Sequence, residues 1–190
     1  MSRFVDRGAI TAAYVGIGMA VTIGVSFLLV IPIEPVVWLL AVPSGLLIGY
    51  YANQRSNRRH GPWSRILANG MFAGLVTGLT AAALLLAVKG LFFFADSGYR
   101  DPGLGGPVAC TTGADCVYRR YLDEGRATDL AAAGVTDVGS FTTFYWGQQL
   151  STAGAVLLLT TLGGLGGAVV YGFTRPKPQA SNAGTATRSV

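Results

Sequence analysis

Four runs of apolar residues alternate with clusters of charge along this chain, at roughly 8–31, 36–51, 66–94 and 146–173. Each run is almost free of Asp, Glu, Lys and Arg, and three of them exceed the about 20 residues that a helix needs to cross a bilayer. The second is the shortest and the third the longest. At 1.5 Å per residue the third extends about 43 Å, past a hydrocarbon core of about 30 Å, so it is expected to tilt or to project beyond the membrane. Arg3 and Arg7 precede the first run as they would a secretory signal. That run is longer than a signal core of about 7–15 residues, and no small-x-small site follows it before Pro32, so it reads as a retained span. The pattern predicts an all-α integral membrane protein with four transmembrane helices.

Composition agrees: 51% of the residues are hydrophobic and 12% charged, against about 25% charged in soluble domains. The charge distribution then predicts an orientation, because Lys and Arg in short loops are held on the cytoplasmic side. With four spans, both termini and the 52–65 loop share one side, which carries nine basic residues, Arg3, Arg7, Arg55, Arg58, Arg59, Arg65, Arg175, Lys177 and Arg188, against one acid, Asp6. The other side holds four arginines against eight acids. Both termini are therefore expected to be cytoplasmic, in a plasma or inner membrane. Trp63, Tyr50, Tyr51 and Tyr171 at one set of helix ends and Trp38, Tyr145 and Trp146 at the other fit the two interfacial aromatic belts. The stretch "RSNRRHGPWSR" reads as a topology signal beside anionic headgroups, and no nucleic-acid partner is expected. The expected divisions are 1–95 for helices one to three with a basic cytoplasmic loop at 52–65, 96–145 for an extracytoplasmic domain, 146–174 for helix four and 175–190 for a disordered cytoplasmic tail.

Small residues recur every four positions within the runs: Ala12, Gly16, Ala20 and Gly24; Gly45 and Gly49; Gly70, Gly74 and Gly78; Gly163 and Gly167. Such rows lie on one helical face and let backbones approach, which matters in lipid, where association depends on van der Waals contact. The spacing alone leaves open whether the faces meet within one chain or between chains. Pro43 removes a backbone donor from the second run and predicts a kink there. Lys89 is the one charge inside a run; it lies close enough to a helix end to snorkel, or to pair with Glu34 in the outer turn.

The one sizeable polar stretch, 96–145, opens with the turn-rich "DSGYRDPGLGGP" and continues as "DCVYRRYLDEGRATDLAAAG". Asp115 is placed to cap a helix, Gly125 to divide it in two and Gly134 to end the second piece. A unit of this size buries little core and needs a staple or a partner. Cys110 and Cys116, the only cysteines, have five residues between them, wider than the C-x-x-C pair of thiol oxidoreductases, and no histidine nearby completes a zinc site. On an oxidising face of the membrane they are expected to form a structural disulfide of about 2 kcal/mol in the chain-entropy model. The four-cysteine Cys-Cys-Gly pattern of tetraspanins and the second cysteine pair of quinone-linked disulfide-forming membrane proteins are both absent.

The chain has one histidine, His60, and no phosphate-binding glycine loop after a strand, nucleophile motif or intramembrane carboxylate pair. The sequence therefore predicts a protein that is not an enzyme and has no catalytic residues, metal or cofactor. The expected function is an accessory or structural subunit that packs in the bilayer against other membrane proteins or itself, with Gly70, Gly74, Gly78, Gly163 and Gly167 as candidate contacts. The alternative is a small homo-oligomeric channel or transporter with Pro43, Lys89 and Glu34 near its pathway.

Overall fold

A computed structural model of the chain describes residues 5–26, 34–56, 61–95 and 110–175, without the side chains of 34–37. The basic residues Arg58 and Arg59, the turn at 96–109 and the tail beyond Arg175 lie outside the described residues. Six helices are present among those described: α1 Arg7–Gly24, α2 Glu34–Gln54, α3 Trp63–Ala95, α4 Ala114–Asp123, α5 Ala127–Ala132 and α6 Val138–Thr174. Three of them, α1, α3 and α6, are long and apolar enough to cross a membrane. The 21-residue α2 contains Pro43.

Local chemistry sets the ends. Asp6, in extended conformation, caps α1 by accepting hydrogen bonds from the amides of Gly8 and Ala9 at 3.0 and 3.3 Å. Asp137 starts α6 through a reciprocal pair: its side chain accepts from the Ser140 amide at 2.8 Å, while the Ser140 hydroxyl oxygen accepts from the Asp137 amide at 3.0 Å. α6 thus begins at Val138, eight residues ahead of the expected start at 146, so 138–145 belongs to one helix with the apolar run 146–173. Asp115 does not cap α4, whose first turn follows Gly113; it sits inside that turn and pairs with Arg119 at 3.0 Å. Gly125 takes φ +76°, a left-handed conformation open to glycine at little cost, and divides α4 from α5 where the sequence predicts a break.

Contacts along the helices give their relative directions. Position 6 meets 69 and position 16 meets 77, so α1 and α3 run the same way. Gly45 lies on Thr160 and Gly49 on Gly164, so α2 and α6 also run the same way. Gly70 lies on Ala168, Gly78 on Leu157 and Phe93 on Tyr145, so α3 and α6 are opposed. The helices alternate in direction, with α1 and α6 packed on opposite sides of the α2–α3 pair.

At about 50 and 56 Å, α3 and α6 outreach α1 and α2. Their projecting ends carry the small helices. Phe93, Leu130, Val135, Phe141 and Tyr145 form a buried cluster there, and Tyr118 and Tyr121 of α4 pack on Phe141 at ring distances of 5.2 and 5.0 Å. In this aromatic cap the Cys110–Cys116 disulfide, with Cα atoms 5.3 Å apart, ties the first turn of α4 to the residues before it.

Candidate functional site

Two parts of the molecule bring polar or close-packed groups from separate helices together. The first is the end at which α1 starts, α2 stops, α3 starts and α6 stops. Asn53, 1% exposed, donates through Nδ2 to the carbonyls of Gly49 at 3.1 Å and Ile66 at 3.0 Å. Asn69, 3% exposed, donates to Asn53 Oδ1 at 3.5 Å and accepts through Oδ1 from the Asp6 amide at 3.4 Å. The Ser56 hydroxyl donates to Asp6 Oδ2. A single chain of hydrogen bonds thus ties α1, α2 and α3, and buried polar groups that are all bonded fix one arrangement of the helices. Sequence reasoning missed this network. Its only trace was an asparagine near the end of one apolar run and near the start of the next.

Beside the network, Arg175 donates to the Gly61 carbonyl at 2.9 Å and lies 6.0 Å from the Trp63 ring. Trp63 also meets Phe173 edge-on at 5.4 Å and covers Gly172, where a Cβ would strike the indole. Arg55 donates through Nε to the Tyr51 hydroxyl at 3.1 Å. Histidine, cysteine and acidic side chains form no group of three able to hold a metal among the described residues.

The second part is the crossing of α6 with α2 and α3. A Cβ built on Gly163 would lie 2.5 Å from the Val42 carbonyl oxygen, and one on Gly164 would lie 2.5 Å from that of Gly70. At Gly70 the clash is with the Gly164 carbonyl at 2.6 Å, at Gly74 with the Thr160 carbonyl at 3.0 Å and at Gly78 with Leu157 at 3.1 Å. Gly45, Gly49 and Gly167 sit closer still to facing backbone. On α1, Gly16 faces Thr77 and Gly24 faces Leu84, while Ala12 and Ala20 are buried. The faces therefore meet within one chain, and the five glycines expected to contact a partner are covered by the chain's own helices. By contrast Gly18, Gly147, Gly154 and Gly166 have nothing within 4 Å of a built Cβ.

Lys89 is half-buried on α3, one turn before Phe93. The Glu34 side chain proposed to pair with it lies outside the described residues. No protein-family model matches the chain, and no curated protein or solved structure is detectably similar to it.

Proposed function

We propose that this chain is a non-catalytic, four-span membrane protein that serves as an accessory or structural subunit, with both termini cytoplasmic and the aromatic cap outside. The observation that carries the four-span reading is direction. Because α1 and α3 run the same way, the chain must return between them. The 21 residues of α2 extend about 31 Å, the thickness of a hydrocarbon core. The excess of Arg and Lys at one end supports the orientation.

The subunit reading is supported by how the helices are joined. Glycine contacts and bonded asparagines lock the bundle internally, leaving an outer surface of large apolar side chains, such as Leu39, Leu47, Leu158 and Leu162, for lipid or a neighbour. On α6, Gly147 and Gly154 share one uncovered face seven residues apart, where a neighbouring helix can approach. Docking then uses the uncovered glycines of α6 in place of Gly70, Gly74, Gly78, Gly163 and Gly167.

Affinity purification of the full chain in mild detergent tests this: other membrane proteins are expected to accompany it, and Gly154→Leu is expected to release them while the bundle stays folded. Solute flux through liposomes holding this chain alone, abolished by Lys89→Leu, would replace the subunit reading with the channel.

A further inference from the structure

The hydrogen-bonded end of the bundle carries an arginine in, or directly after, each of the four long helices: Arg7, Arg55, Arg65 and Arg175. Specific contacts gather them. Asp6 meets Ser56, Asn53 donates to the Ile66 carbonyl and Arg175 donates to the Gly61 carbonyl, so the ends of α1, α2, α3 and α6 form one surface. Asp6 is the only acid among the described residues at this end, and its carboxylate is turned inward, with one oxygen capping α1 and the other accepting from Ser56. Four arginines against this one acid leave the surface with a net positive charge.

Aromatic rings hold two of the guanidinium groups: Arg55 lies 5.6 Å from the Tyr51 ring and Arg175 6.0 Å from Trp63. Trp63 itself is 40% exposed at the mouth of an apolar helix of membrane length, the level at which tryptophan meets lipid headgroups. The anion available in that plane is a phosphodiester, whose paired oxygens match the fork of a guanidinium.

We propose that this end of the bundle is a docking surface for anionic phospholipid headgroups, on which the arginines of the four helix ends retain lipid phosphates beside Trp63. The proposal stands independently of the subunit reading, because it needs no protein partner.

The full chain, purified in detergent and mixed with equal amounts of phosphatidylglycerol and phosphatidylcholine, is analysed by native mass spectrometry for retained lipid. Phosphatidylglycerol is expected to be retained more than about ten-fold over phosphatidylcholine. Arg7→Gln, which alters an exposed side chain, is expected to cut that preference about five-fold, the change for one basic residue at an anionic surface. Arg175→Lys should keep most of the preference and Arg175→Gln should lose it. Arg119→Gln, on the cap, should leave it intact. Should Arg175→Gln fail to give a monodisperse helical protein, Arg7→Gln and Arg55→Gln decide. Equal retention of the two lipids, a preference untouched by Arg7→Gln with Arg55→Gln, or displacement of the lipid by inorganic phosphate would overturn the proposal.

Discussion

Burying a primary amide between helices costs free energy unless its donor and acceptor are bonded, and Asn53 has both, through Gly49, Ile66 and Asn69. Asn53→Ala removes those bonds and leaves the Asn69 amide without its acceptor. The expected loss is about 1–2 kcal/mol, read as a lower thermal midpoint in detergent. A second residue makes stability depend on pH. The Ser140 amide and hydroxyl beside Asp137 hold its carboxyl below the usual carboxylate range. A depressed folded-state pKa adds stability that is fully present above the unfolded carboxylate value of about 3.9 and is lost as pH falls through the lower folded value. Hydrogen-exchange protection of the first turn of α6, taken against the unstructured rate at each pH, should therefore fall on acidification below about pH 4. Asp137→Asn, which keeps an acceptor without the charge, should flatten that dependence. Neither role was legible in the sequence. An asparagine or an aspartate near a helix end reads as an ordinary polar boundary until its partners are in place.

Between elements, α6 decides the packing, because it lies against α2 through one set of glycines and against α3 through another. A methyl group at Gly49 would be driven into the Gly164 carbonyl, and backbone cannot yield as a side chain can. Gly49→Ala is expected to cost more than the about 1–3 kcal/mol of ordinary overpacking, while Gly166→Ala, which meets nothing, should not lower the midpoint. Equal midpoints for the two variants would show that the crossing tolerates separation. Much at this scale was readable beforehand. Three apolar helices of membrane length, the paired cysteines and the break at Gly125 follow from composition and from turn chemistry. Spacing also put the small residues on single faces, but which helix covers each face depends on directions that no local pattern encodes. The early start of α6 was hidden for a related reason. Phe141 and Tyr145 make a helical stripe only when α4 and Phe93 cover them, and the sequence alone leaves both in the 96–145 stretch assigned to the outer domain.

At the scale of the whole molecule, the shared direction of α1 with α3 and of α2 with α6 bears on topology. A chain whose first and third long helices are parallel has to cross the same thickness between them. If α3 crosses the membrane, the α2–α3 connection before it and the cap after it lie on opposite sides, and in the four-span reading the connection is the cytoplasmic one. Single-cysteine labelling reads this directly, because the two native cysteines are paired with each other. Gln54→Cys, exposed at the last residue of α2, should react with a membrane-impermeant maleimide only after cells are permeabilised. Ala133→Cys, exposed just beyond α5, should react in intact cells. The reverse pattern would invert the orientation that the arginines imply. Labelling of both in intact cells would remove α3, the long helix between the two positions, from the membrane and, with it, the reading of this chain as a four-span bundle.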